Sequence, residues 1–218
     1  PLEGLGITLV SPASHTPYSG MLPGLVAGHY SFEQAHIDLA RLCQWAGVRF
    51  IAGEVTALDP GARRLSLAGR PAIEYDLASI DIGSQPELDS VPGAREHAVA
   101  VKPVAGLWQR WQHLLQRLAA LPAGQRCRIA VVGGGAGSVE LALAMAHRLA
   151  RHPVEIALWC GASAILQGYN AAARSGVTAA LARHNIALAL DARVERVEAN
   201  CLLLADGRQA PFDALFWC

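Results

Sequence analysis

RIAVVGGGAGSVELALAM, residues 128–145, runs an apolar segment into a cluster of glycines and out into a second apolar segment. Arg128 to Val132 has the pattern of a buried parallel strand, and Ser138 to Arg151 reads as a helix. Between them stands Gly133-x-Gly135-x-x-Ser138, inside a glycine cluster that includes Gly134 and Gly137. In this strand-turn-helix setting the spacing has a physical meaning. Gly133 permits the tight turn, Gly135 leaves no side chain between backbone and a pyrophosphate, and Ser138 is small enough for close helix-strand packing. The helix N-terminus offers free amide protons and a positive dipole end to phosphates. The competing reading is a glycine-rich turn with no ligand. Glu140 is either a carboxylate favoured by the helix dipole in the first turn or a group pointing into a cofactor cleft. The spacing favours the first.

Downstream, Pro153 resets the chain and Val154 to Trp159 is the next strand. Asn170 to His184 reads as a helix, Ile186 to Leu190 as a strand, and Val194–Glu198 with Cys201–Ala205 as a hairpin. An Asp206-Gly207 turn leads to a last strand from Phe212. Such alternation predicts a parallel sheet covered on both faces. The acid expected at the end of the second strand is absent. The place falls on Trp159 and Cys160, with no arginine beside them for a 2′-phosphate, so NAD and NADP are not distinguished.

Upstream, Gly6 to Ser11 reads as a buried strand and Pro12 to about His29 as a loop. Ser31 with Gln34 forms a capping box, predicting a helix through Leu42 that ends near Gly47. Val48 to Ile51 is a strand, Glu54–Leu58 and Arg64–Ala68 a hairpin around Asp59–Gly61, and Leu77 to Ile82 a returning strand. Gln85 to Ala94 is a surface connector. From Val104 to Leu118 apolar residues recur at helical spacing, with Trp108 and Trp111 as core anchors.

The two halves end alike. RLSLAGRPAIEYDLASID (64–81) and CLLLADGRQAPFDALFWC (201–218) both pass from a hairpin strand through a Gly-Arg turn to an aromatic-Asp pair and an apolar strand. Laying Asp76 on Asp213 gives an offset of 137 residues, and laying Ile7 on Ile156 gives 149. The counterpart of Gly133 would then lie at position −16, upstream of Pro1, and that of Gly83 at position 220. The expectation is an α/β chain of two tandem Rossmann-like units, each a parallel sheet with a hairpin or meander insertion, truncated at both ends. Residues 1–105 form the first unit without its opening strand, glycine turn and helix. Residues 106–126 form a connecting helix and linker, and 127–218 a second unit cut before its final glycine segment.

Composition narrows the function classes. Of the 218 residues 52% are hydrophobic and 17% charged, enough apolar content for a substantial core. Eighteen basic and eighteen acidic residues cancel, and no basic stripe suggests a nucleic-acid partner. The cysteines, at 43, 127, 160, 201 and 218, show no CxxC spacing, which argues against a zinc knuckle, a disulfide framework or a redox dithiol and fits a cytoplasmic setting. No apolar run approaches the roughly 20 residues of a membrane span. The histidines have no metal-ligand spacing, and no G-x-S-x-G nucleophile elbow is present.

With these motifs the chain resembles the pyridine nucleotide-disulfide oxidoreductase superfamily of flavoproteins, most closely the branch around type II NADH dehydrogenases. HTPYSGMLPGLVAGHY (15–30) is similar to a loop beside the flavin, and also to the oxidoreductase module fused to selenophosphate synthetase in some bacteria. GEVTALDP (53–60) looks like the segment laid against the adenine of FAD, YDLASIDIGSQP (75–86) like the "ATG" segment with Gly83 as its glycine, and VKPVAGLWQRW (101–111) like the stretch that brings Lys102 near the flavin. GGGAGSVELA (133–142) is similar to the NAD(P) fingerprint, Glu140 included. The resemblance implies hydride transfer from NAD(P)H to FAD and on to a quinone or another small acceptor. FAD contacts would come from Ser11, Thr16, Pro17, Val55 and Gly83, with Glu140 and Lys102 as candidate catalytic groups near the cofactors. It further implies a homodimer, a peripheral membrane contact through a C-terminal part outside this sequence, and an association with selenophosphate synthetase. The FAD fingerprint and the C-terminal flavin segment of the family are not in this sequence. The rival expectation is therefore a non-catalytic, degenerate nucleotide-binding module.

Overall fold

In chain order the elements of the computed structural model, which describes residues 4–218, are as follows. β1 is Thr8–Ser11, β2 His15–Pro17, α1 Leu22–Ala27, β3 His36–Asp38, α2 Leu39–Ala46, β4 Arg49–Ala52, β5 Val55–Asp59, β6 Arg64–Leu67 and β7 Arg70–Glu74. Then come α3 Ala94–His97, β8 Val99–Ala100, α4 Val104–Ala119, β9 Cys127–Val132, α5 Ala136–Arg148 and β10 Val154–Trp159. α6 Ala171–Arg183, β11 Ala187–Ala189, β12 Val194–Glu198, β13 Cys201–Leu204, β14 Gln209–Pro211 and β15 Ala214–Trp217 complete it. The chain divides into two compact units, residues 4–22 with 30–83 and residues 23–29 with 84–218. Residues 84–102 thus pack within the second unit, where β8 pairs with β15.

The second unit is a mixed α/β body around a parallel sheet of order β11-β10-β9-β15-β8. Its central strand β9 is apolar on both faces, as a sheet covered on both sides requires. One face packs with α4 and α5 in a core containing Trp111, Met145, Leu158 and Phe216. Trp111 meets Phe216 edge-on with centroids 6.4 Å apart, while Trp108 is only partly buried against this core. On the other face the antiparallel meander β12-β13-β14 closes over Ala130, Leu215 and Trp217. Arg128 and Asp213 fix the start of β9 against the start of β15. The Asp213 carboxylate accepts from the Arg128 amide at 2.8 Å and from its guanidinium at 3.0 and 3.1 Å.

The first unit holds a parallel pair, β1 with β4, an antiparallel pair, β2 with β3, and the meander β5-β6-β7. Four expectations need correction. The loop from Pro12 to His29 contains three ordered pieces, β2, a 3-10 turn at Ser19–Met21 and α1. α1 is six residues long and buries Leu25, Val26 and Ala27, too short a run to stand out in a Pro- and Gly-rich stretch. The Ser31–Gln34 capping box does form, with both reciprocal hydrogen bonds, but closes a single turn. Strand β3 interrupts the expected helix, and Asp38 caps α2 instead by accepting from the Arg41 amide. Gly47 does take the left-handed cap, at φ 68°. Residues 77–82 form no strand and pair with none of the described strands. Leu77 and Ile82 are left 91% and 90% exposed. Both hairpins gain a third strand, β7 and β14, which the sequence pattern did not separate from the turn.

Candidate active site: the glycine turn at the carboxyl edge of the second sheet

β8, β15, β9 and β10 all run the same way, so their carboxyl ends share one edge. Lys102, Cys218, Gly133 and Cys160 directly follow these four strands or lie within two residues of them. The chain winds from β9 to β10 and β11 on one side and returns to β15 on the other. That edge therefore carries the topological switch point at which open α/β sheets hold ligands.

The glycine turn is built tightly below and left open above. Gly133 has φ 142°, and a Cβ there would stand 3.1 Å from the Cβ atoms of both Cys218 and Ser138. A Cβ on Gly134 would stand 2.5 Å from the Cys160 Sγ. Gly134 is also tied down from its carbonyl, which accepts from the Leu166 amide at 2.7 Å. Ser138 is fully buried, and its Oγ donates to the Gly135 carbonyl at 2.8 Å. By contrast a Cβ on Gly135 or Gly137 would meet nothing within 4 Å. Gly135 starts α5 without a side-chain cap, and among the described residues no protein acceptor serves the amides of Gly135, Ala136 and Gly137. Unserved amides facing free space at a helix start are what a phosphate group needs.

Two cysteines missed as site residues wall this turn. Cys218 is half-enclosed and burial pushes its thiol up to about 12, so it stands beside Gly133 uncharged. Cys160 is buried beneath Gly134, its Sγ 3.7 Å from the Ala164 carbonyl oxygen. Counting along the sequence found Cys160 but not its orientation, which turns it away from solvent. The reading of no arginine near this strand end is also corrected. Arg193, distant in sequence, lies against Gly161: its Cα and Cβ are 3.5 Å from where a Gly161 Cβ would be. Glu140 falls in the second turn of α5, whose first turn has no acidic residue, so the dipole explanation does not hold. Its side chain is exposed. Lys102 is half-buried.

In the first unit the candidate residues are spread over three places. Ser11 ends β1 and its carbonyl accepts from the Gly53 amide at 2.9 Å, while Val55 starts β5 two residues further along the chain. Thr16 and Pro17 pair with Ile37 and His36 across β2 and β3. Gly83 has φ 69° with no atom within 4 Å of a Cβ position. Among the described residues no group of His, Cys, Asp and Glu could hold a metal, and no helix is long and apolar enough to cross a membrane.

Solved structures share this fold. The sulfide:quinone oxidoreductase of Aquifex aeolicus superposes with a TM-score of 0.78 at 23% identity, over 99% of this chain and 53% of that one. NDH2 of Plasmodium falciparum, in complex with NADH, gives a TM-score of 0.87 at 17% identity over 98% and 50%. Among curated proteins, demethylphylloquinone reductase NdbB of Synechocystis is 28% identical over 149 residues, 66% of this chain and 36% of that protein. The NADH dehydrogenase-like protein YutJ of Bacillus subtilis is 26% identical over 223 residues, 99% and 57% respectively. The chain thus spans between about a third and somewhat over half of these two relatives' length. The profile of the pyridine nucleotide-disulphide oxidoreductase family matches residues 3–218, from the first strand through both meanders and the glycine turn, and the chain belongs to that family.

Proposed function

We infer that the chain belongs to a flavin-dependent oxidoreductase passing hydride from NAD(P)H through FAD to a quinone or another small acceptor. The observation that carries this reading is the glycine turn. Gly133, Gly134 and Ser138 pack too closely for larger side chains, while Gly135 and Gly137 open onto free space before unserved amides. A dinucleotide diphosphate fits there, accepting from those amides, with no side chain displaced. The relatives point the same way, since one is a demethylphylloquinone reductase and one neighbour was solved with NADH.

In this reading residues 127–218 hold NAD(P)H and residues 1–105 contribute to FAD binding, joined by 106–126. The two are tandem copies of one Rossmann-like plan. Ser11, Thr16, Pro17, Val55 and Gly83 lie along the flavin nucleotide. FAD supplies the hydride acceptance and the onward electron transfer when bound. The chain's own groups bind and orient. The α5 amides hold the pyrophosphate, and the uncharged Cys218 keeps the floor of the turn apolar. Glu140 and Lys102 are the ionisable groups we place toward the reacting rings. A cytoplasmic location, a homodimer and an association with selenophosphate synthetase belong to the same reading.

Calorimetric titration of the chain with ADP-ribose tests the site, and Gly135→Val tests the turn. Binding in the wild type, lost roughly tenfold or more in the variant, is expected. A wild type that binds no nucleotide refutes the reading. An absorbance band near about 450 nm on the protein with its complete flanking sequence tests the flavin assignment. A colourless protein that binds ADP-ribose would leave a nucleotide-binding module without redox chemistry.

A further inference from the structure

The place where a Rossmann unit usually reads the adenosine ribose is the end of its second strand, here Trp159-Cys160-Gly161. No side chain of that tripeptide serves. Trp159 offers only an indole N–H, Cys160 is buried beneath Gly134, and Gly161 has no side chain. Another segment is bonded onto this strand end. The Ala192 amide donates to the Cys160 carbonyl at 2.9 Å and the Asp191 amide to the Ala162 carbonyl at 3.0 Å. The next residue is Arg193, whose Cγ lies 3.8 Å from the Gly161 Cβ position, so its aliphatic stem runs over the bare glycine. Its main chain is held as well, the carbonyl accepting from the Ala205 amide at 2.9 Å. Its side chain is exposed, and no carboxylate among the described residues, the neighbouring Asp191 included, forms an ion pair with it.

From this placement we propose that Arg193 reads the adenosine ribose of the pyridine nucleotide and selects the 2′-phosphorylated form, NADPH over NADH. The proposal rests on the assignment of the glycine turn to the nucleotide diphosphate. An unpaired guanidinium anchored by its backbone at the ribose end of the site is a fork for a phosphate dianion, and offers nothing comparable to a neutral 2′-hydroxyl. Gly161 leaves the path open. The structure places Asp191 on the same segment through its main chain only, and that carboxylate would repel the phosphate. Its removal should therefore strengthen the preference.

The test titrates the chain with 2′-phospho-ADP-ribose and with ADP-ribose by calorimetry. Wild type should bind the phosphorylated ligand roughly tenfold or more tightly. Arg193→Ala should abolish that preference, losing roughly tenfold more affinity for the phosphorylated ligand than for ADP-ribose, and Arg193→Lys should restore part of it. Asp191→Asn should widen the preference. Adding salt should weaken the phosphorylated ligand more than the other in wild type but not in Arg193→Ala. Equal binding of the two ligands by wild type, or a preference that survives Arg193→Ala, overturns the proposal while leaving the glycine site intact. Binding of neither ligand removes both.

Discussion

Residues 77–82 and strand β15 follow the same lead-in, a three-stranded meander ending in an aromatic-Asp pair, Tyr75-Asp76 in one unit and Phe212-Asp213 in the other. One becomes a strand and the other does not. β15 lies between β9 and β8, and Leu215 and Phe216 are buried. Residues 77–82 pair with no strand among the described residues, and Leu77 and Ile82 face solvent. An apolar run is therefore only an offer of a strand. A neighbour with free amides and carbonyls accepts it.

Elsewhere several main-chain hydrogen bonds recur in both units. The Gly53 amide donates to the Ser11 carbonyl at 2.9 Å, and the Ala192 amide to the Cys160 carbonyl at 2.9 Å. The Ala68 amide donates to Glu54, and the Ala205 amide to Arg193, again at 2.9 Å in both. Each meander shifts register at its first strand, between Val55 and Ala57 and between Val194 and Arg196. Helices α2 and α6 are both capped by a side chain, Asp38 and Asn170, accepting from an amide three residues on.

The strongest way to break this contrast is to truncate the two apolar runs. Phe216→Ala should destabilise the second unit by about 3–5 kcal/mol, read from hydrogen exchange of the β9 amides. Ile82→Ala should change stability by less than about 0.5 kcal/mol, because there is little burial to lose. A comparable cost at both would mean that residues 77–82 are packed after all.

The glycines sharpen it next. Gly133→Ala combines a φ of 142° with two Cβ neighbours at 3.1 Å and should cost about 1–3 kcal/mol in thermal or urea unfolding. Gly83→Ala, with a positive φ but open surroundings, should cost about 1 kcal/mol. A reversed order would show that crowding does not set the difference.

The aspartates give the smallest effect. Asp213 is held below the usual carboxylate range, first by its hydrogen bond from the Arg128 side chain. A folded-state value below the unfolded one means that this stabilisation is complete above the unfolded value of about 3.9 and is lost as pH falls through the folded value. Asp213→Asn should cost about 1 kcal/mol at neutral pH, a modest figure because the pair is partly open to solvent, and the deficit should close in acid. Asp76→Asn, at an exposed position with no ion pair among the described residues, should cost less than about 0.5 kcal/mol in urea melts at neutral pH.

These contrasts also mark what could be read from residues alone. The β9-turn-α5 passage was legible because each signal in it is local: an apolar run, glycines at fixed spacing and a helix behind them. The hairpins and the Gly47 cap were local in the same sense. Several of the failures required a distant neighbour. Whether residues 77–82 pair depends on another strand, the length of the helix after Ser31 on how β3 finds β2, and the place of Arg193 on a segment folded back onto Gly161. Cys160 was correctly numbered as the end of its strand, but only packing shows that it points beneath Gly134.

The meander's anchorage by main-chain bonds has an evolutionary corollary. Because carbonyls and amides alone fasten the strand end to the next segment, the residue at the fastening point is free in side chain, and the two units carry opposite charges there, Glu54 and Arg193. A lineage could exchange acid for base at such a point, and so alter which nucleotide it prefers, by one codon change and without refolding the scaffold around it.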